Sequence, residues 1–164
     1  MLGKQYLLDS FRHETACIKH LATKLDADRL DYRPTPAQRS TLELLRYLAV
    51  TAIGPVRFHL DGTWDFWEAR EKELGTLTLS GFAAAMDRQQ AEIEAILNAS
   101  SDHDLATREV KDWFGNTLTL DQAFVGFSLK FLIAYKMQLF LYAKSVGAQI
   151  SSPNLWRGMD APPK

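Results

Sequence analysis

Apolar residues at Leu7, Phe11, Ile18, Leu21 and Leu25 recur at helical spacing, with Arg12, Lys19 and Lys24 between them, and predict a first amphipathic helix. It should end near Leu25, because Asp26 to Pro36 is polar and Pro34 and Pro36 bias the residues before them away from helical angles. Ser40 stands three residues before Glu43, the spacing of a capping box, in which the hydroxyl accepts from the Glu43 amide and the carboxylate reaches back. A second helix continues on Leu42, Leu44, Leu45, Leu48, Ala49, Ile53 and Val56. Gly54-Pro55 must disturb it, since proline lacks a donor and crowds the carbonyl of Thr51, so a kink or two helical pieces are expected. Asp61-Gly62-Thr63-Trp64 breaks the pattern, and a third helix runs from about Ser80 to Asn98 on Phe82, Ala85, Met86, Gln89, Ile93, Ile96 and Leu97.

Between Ser100 and Leu118 the chain turns polar. Val110, Trp113 and Phe114 lead into Gly115-Asn116, a pair suited to a tight turn with positive backbone angles, and predict a short hairpin or irregular loop. Thr119 and Gln122 repeat the capping-box spacing, opening a long helix through Phe124, Phe127, Leu129, Leu132, Ile133, Leu139, Phe140 and Val146 to a terminating Gly147. The pattern therefore predicts an all-α fold: a four-helix bundle over residues 1–150 and a tail over 151–164 that packs through Leu155 and Trp156. The last helix is apolar on almost every side, as a membrane span of roughly 20 residues would be. Lys130, Lys136 and Gln138 interrupt it, however, and unbroken apolar runs such as Phe131 to Tyr135 are short. It is read as a helix buried on several faces, within the bundle or partly against a second subunit, and no membrane is expected as a partner.

Composition narrows the function classes. With 46% hydrophobic and 24% charged residues, 164 residues can close one substantial core, which excludes intrinsic disorder. Nineteen basic against twenty acidic side chains lack the electrostatic footprint for gripping phosphate backbones, so no nucleic-acid partner is expected. The one cysteine, Cys17, lies beside the apolar stripe of the first helix with no basic cluster or helix start to activate it, and reads as a buried structural thiol. The start MLGKQYLLDSF has neither the apolar stretch nor the cleavage site of a secretory signal, so a cytoplasmic location is expected. No G-x-S-x-G elbow, Walker loop or G-x-G-x-x-G occurs. His13 and His20 lie seven residues apart, about 10.5 Å along a helix, too far to share an ion. His59 is twelve residues beyond Tyr47, and Asp102-His103-Asp104 reads as a solvated loop. Trp64, Phe66 and Trp67 form an aromatic group suited to packing the bundle end, lining a ligand mouth or meeting a partner.

The succession Leu30-Asp31-Tyr32-Arg33-Pro34-Thr35-Pro36, Arg39-Ser40 and Leu44-Leu45-Arg46-Tyr47-Leu48, then Trp113-Phe114-Gly115 before the last helix and Asn154-Leu155-Trp156-Arg157-Gly158-Met159-Asp160 after it, resembles the DinB/YfiT-like superfamily of four-helix proteins. The resemblance implies an up-up-down-down bundle, frequently a homodimer, and in many members a divalent metal held by three histidines. It also implies that some relatives are transferases or isomerases using a low-molecular-weight thiol. The family's first ligand position falls on Tyr47. The other two, four apart and just before a basic residue and a glutamine, fall on Phe131 and Tyr135, counting back from Gln138.

All three positions are aromatic here. Imidazoles supply nitrogen lone pairs to a borderline metal, whereas phenylalanine supplies none and a tyrosine, with a pKa of about 10, is a poor ligand until ionised. The expectation is that no metal or other cofactor is held and that Tyr47, Phe131 and Tyr135 form an aromatic plug or cavity, with Trp64, Trp67 and Gln138 at its rim. These residues point to a DinB-like protein lacking the three-histidine site and binding an apolar or aromatic small molecule, as a homodimer. Two alternatives stand beside it: a thiol-dependent transferase or isomerase, and a structural or regulatory homodimer.

Overall fold

The computed structural model describes residues 3–162, so the ends of both expected segments, at residues 1–2 and 163–164, lie outside the described residues. Helix α1 (Lys4–Ala22) is succeeded by a linker with one 3₁₀ turn, then α2 (Thr41–Leu48), α3 (Ile53–Asp61), α4 (Asp65–Leu74), α5 (Leu79–Ala99) and the short α6 (Asp102–Thr107). A two-stranded hairpin, β1 (Glu109–Lys111) and β2 (Thr117–Thr119), pairs antiparallel in the register Glu109 with Thr119 and Lys111 with Thr117. The final long helix comprises α7 (Leu120–Ala123), a π-helical segment (Phe124–Leu129) and α8 (Lys130–Ser145), and α9 (Ser152–Arg157) lies in the tail.

Local chemistry explains most boundaries. The Glu43 amide donates to Ser40 Oγ at 3.2 Å and the Ser40 amide to Glu43 Oε2 at 2.6 Å, so the expected capping box opens α2. The expected disturbance at Gly54-Pro55 falls four residues earlier. Pro55 is the third residue of α3, in a first turn whose amides have no intrahelical acceptor anyway, so it starts a helix instead of kinking one. The break at Ala49–Ala52 is bridged by a buried side chain from α5. Gln89 Oε1 accepts from the amides of Ala52 and Ile53 at 3.0 and 3.1 Å, and Gln89 Nε2 donates to the Leu48 carbonyl at 3.0 Å.

The core forms where α1, α2, α3, α5 and the final helix meet, on Phe11, Leu44, Leu48, Phe82, Phe124 and Leu132 among others. Helix directions are fixed by cross-helix pairs. Arg12 with Glu94 and Lys19 with Asp87 run α1 antiparallel to α5, while Tyr47 with Tyr135 and His59 with Phe127 run α2–α3 antiparallel to the final helix. Phe11 with Phe124 and Glu14 with Lys136 run α1 parallel to the final helix. The order is therefore up-down-down-up, a correction to the up-up-down-down connectivity that the resemblance implies. Hydrophobic period defines a helix's buried face and leaves its direction open.

Three further readings are corrected. Residues 65–74, passed over in the sequence, form α4: Asp65 and Glu68 sit in its first turn, Lys72 in its last and Gly75 closes it, all favourable to the helix dipole and cap, but charges interrupt its apolar pattern. Asp102-His103-Asp104 is exposed yet helical, because the Ser101 hydroxyl and Asp104 carboxylate form a capping box. In the tail Leu155 is buried, but Trp156 is half exposed and lies 4.6 Å above Lys136 Nζ instead of entering the core. Cys17 is buried, as expected.

Candidate functional site

The three positions singled out by resemblance meet between α2 and α8. The rings of Tyr47 and Tyr135 lie 4.6 Å apart at 67°, edge to face, and Phe131, one turn earlier on α8, is 6.5 Å from Tyr135. Trp67 of α4 packs edge-on to Tyr47 at 5.5 Å, and Trp64 stands 5.7 Å from Trp67. From the hairpin turn, Trp113 closes the group at 5.3 Å from Trp64 and 6.2 Å from Phe131. Such pairs contribute roughly 0.5–1.5 kcal/mol each beyond the area they bury.

Each ring is held by a specific backbone device. Gly54 allows Trp67 to approach: a Cβ there would stand 2.1 Å from the indole, inside any real contact distance. Asp112 folds the turn that carries Trp113, its Oδ1 accepting from the amides of Phe114 and Asn116 at 2.9 and 2.8 Å and its Oδ2 from the Asn116 side chain at 2.9 Å. The π-helical segment carries Phe127, whose ring lies 4.4 Å from Trp113. Wide turns of this kind insert an extra residue and re-aim the side chains of the next turn, often at functional sites.

Together these elements leave an open groove of about 460 Å³ lined by Tyr47, Trp64, Trp67, Trp113 and Phe131, with Pro55, Glu68 and Glu71 completing it. Trp64 and Trp67 thus stand where a rim is expected. Tyr135 backs Tyr47 without lining the groove, and Gln138 is a correction: its amide donates to the Tyr142 phenol at 2.7 Å, which in turn donates to the Arg39 carbonyl at 3.2 Å. Gln138 therefore ties α8 to the linker before α2. A second groove of about 430 Å³, containing Arg33, Arg39 and Arg46, shares Tyr47 and Glu71 with the first.

The electrostatics of the aromatic cluster keep its phenol neutral. Burial, with the phenol of Tyr135 alongside, pushes the Tyr47 pKa up to about 12. Above the Tyr47 ring, 3.9 Å from its centre, sits the guanidinium of Arg39. His59, read in the sequence as remote from Tyr47, is buried behind Trp113 at 5.7 Å and Phe127 at 5.1 Å. Its Nδ1 donates to the Pro55 carbonyl, Nε2 has no partner among the described residues, and burial lowers its pKa. Among the described residues no three His, Cys, Asp or Glu side chains converge as a metal-ligand group. Sequence reasoning missed Trp113, Phe127, Arg39 and Gly54 as parts of this region. The Gly115-Asn116 turn and the Trp113-Phe114-Gly115 motif pointed toward Trp113 without placing it in the groove, and nothing in the periodicity pointed to the others.

The other side of α8 holds a different feature. Lys136, read as a polar interruption of an apolar helix, is fully buried and its ammonium lies 2.6 Å from Glu14 Oε2, itself nearly buried.

No protein-family model matches the chain, and no curated protein matches its sequence. Solved structures do match its shape. A DinB-like protein (YjoA) from Bacillus subtilis superposes with a TM-score of 0.69 at 20% identity, covering 89% of this chain and 95% of the other. A proposed member of the DinB family from Exiguobacterium sibiricum gives a TM-score of 0.69 at 16% identity, covering 94% and 99%. A protein described as Sibling Lethal Factor Precursor, DfsB, gives 0.67 at 14% identity, covering 90% and 99%. On the helical bundle and these superpositions, the chain has the DinB-like fold.

Proposed function

We propose that this is a DinB-like protein in which an aromatic small-molecule groove replaces the three-histidine metal site of metal-binding relatives. The observation that carries the reading is the meeting of Tyr47 and Phe131 with Trp64, Trp67 and Trp113 around one open groove, with Tyr135 packed behind Tyr47. The donor set does not fit a transition metal: Phe131 has no lone pair to offer, and Tyr47 would have to ionise against a pKa of about 12. A groove of about 460 Å³ with rings on most sides matches the size and lining of small-molecule sites.

Metal analysis of protein purified without an affinity tag, joined to calorimetry with 4-tert-butylphenol as a neutral aromatic probe, tests both halves. The expected result is no stoichiometric transition metal and a bound phenol that Trp67→Ala releases. Stoichiometric nickel or zinc would overturn the reading. As a converse, the triple variant Tyr47→His, Phe131→His, Tyr135→His is expected to acquire zinc, since it restores three imidazoles at positions that already converge.

The same reading takes the chain as a soluble cytoplasmic homodimer. One helix, Leu120–Ser145, is long and apolar enough to cross a membrane, but it packs against α1 and α2 and carries the buried Lys136. Its outer face leaves Ile133 and Leu141 exposed, the kind of surface a second copy would cover. Light scattering at micromolar protein is expected to give twice the chain mass; a monomer argues against the dimer.

A further inference from the structure

Of the side chains that line the aromatic groove, the charged ones are both acidic. Glu68 and Glu71 lie three residues apart on α4, the helix that also carries Trp67, and neither makes an ion pair or a side-chain hydrogen bond among the described residues. Of the other carboxylates on α4 and α5, Asp65 is likewise unpaired among the described residues, whereas Glu73 pairs with Arg88, Asp87 with Lys19, Glu92 with Arg70 and Arg88, and Glu94 with Arg12. Two acids without a direct ion-pair partner therefore stand beside a wall of indoles, Glu71 on the side shared with the groove that contains Arg33, Arg39 and Arg46.

Such a wall has its own electrostatic preference. Ring faces carry negative quadrupole density and attract cations, tryptophan most strongly. The cluster already contains one instance, with the guanidinium of Arg39 lying 3.9 Å from the centre of the Tyr47 ring. Arg39 belongs to the adjoining groove, and no basic residue lines the aromatic one. Rings and acids thus favour the same sign of charge. A neutral apolar ligand would gain from the rings alone, and an anion would be opposed by both acids.

Building on the proposed small-molecule groove, we propose that its ligand class is a small organic cation, an alkyl- or arylammonium compound whose substituted nitrogen sits among Trp64, Trp67 and Trp113 with Glu68 and Glu71 alongside. The groove's volume of about 460 Å³ suits a compact ammonium and its apolar substituents.

Two molecules of one shape and different charge provide the test. The full-length protein is titrated by calorimetry at low salt with (4-hydroxyphenyl)trimethylammonium and with its neutral isostere 4-tert-butylphenol. The cation is expected to bind about tenfold more tightly, within the range of a desolvated cation–π contact. In Glu68→Gln/Glu71→Gln that ratio is expected to fall severalfold, leaving only the preference that the ring faces supply. The acids are exposed surface residues on α4, so the variant should fold, and an unaltered melting temperature verifies it.

Equal binding of the two probes would overturn the cation assignment and leave the aromatic groove standing. Binding of neither would overturn the groove reading itself. A preference undiminished by removal of both carboxylates would also overturn the assignment, since the acids would then have no part in it. Cosedimentation with phosphatidylcholine vesicles separates a free cation from a lipid headgroup: protein carried down by vesicles, with no binding of the free ammonium, would overturn the proposal.

Discussion

Tyr135 and Lys136 are neighbours on α8, yet they face two differently built regions. On the α2 side, Tyr135 enters a cluster of rings in which each member touches others and the guanidinium of Arg39 rests on a ring face. On the α1 side, Lys136 is buried with a single acid, Glu14, at 2.6 Å and the Trp156 ring at 4.6 Å. A buried ammonium depends on its partner absolutely, because taking a charge out of water costs several kcal/mol unless it is compensated. An aromatic cluster depends on no one member, because dispersion and quadrupole contacts are many and individually small. The comparison teaches that one helix can carry a specifying polar contact and a permissive, adaptable apolar wall on adjacent residues.

Removing the partner breaks the first region most sharply. Glu14→Ala leaves Lys136 buried and uncompensated and is expected to cost about 3–5 kcal/mol, read from urea unfolding. Replacing both residues together, Glu14→Leu with Lys136→Met, is expected to recover most of that loss. If the single variant unfolds like the natural protein, the pair is not a desolvated one.

On the ring side the expected costs are smaller. Tyr135→Ala removes a half-buried ring and is expected to cost up to about 3 kcal/mol, below the full cost of deleting a fully buried aromatic. Its helix content by circular dichroism should be nearly unchanged while phenol binding weakens. A pure plug would show the reverse, with stability falling and binding indifferent. Gly54→Ala pushes a methyl group into the Trp67 indole and is expected to cost about 1–3 kcal/mol with loss of binding, since the ring that must move is part of the wall.

The smallest effects come from titration. Burial depresses the His59 pKa in the folded chain, so the unfolded chain takes up a proton first, near its ordinary value of about 6.5. Stability is then fully present above that pH and declines as pH falls through the range below it, a decline that His59→Phe should flatten in melts between pH 7 and pH 5. Tyr47 works at the other end. Its folded pKa of about 12 exceeds the unfolded value of about 10, so its contribution is whole below pH 10 and is lost as pH rises toward 12. Ultraviolet titration of Tyr47→Phe against the natural chain should remove one phenol that ionises late.

Legibility in the sequence varied by element. The capping boxes at Ser40 and Thr119, the polar linker, the hairpin around Gly115-Asn116 and the four main helices were legible, because each depends on residues within a few positions of one another. Helix α4 was hidden by the charges that interrupt its apolar face, and the π-helical segment had no local marker. In the groove, Tyr47, Phe131 and Tyr135 were legible by resemblance, and Trp64 and Trp67 as a dense group. Trp113 arrives from a hairpin more than forty residues away in sequence, and Gln138 turned toward Tyr142 instead of the groove.

From sequence alone came the class of fold, the local starts and stops, and the replacement of imidazoles by rings at three positions; each is a statement about residue type or short-range spacing. Tertiary structure alone decided the direction of each helix, the burial of Lys136 against Glu14, and the gathering of rings from α2, α4, the hairpin and α8 around two unpaired acids. Those depend on which distant side chains share space once the backbone has been placed, and neither period nor propensity contains that information.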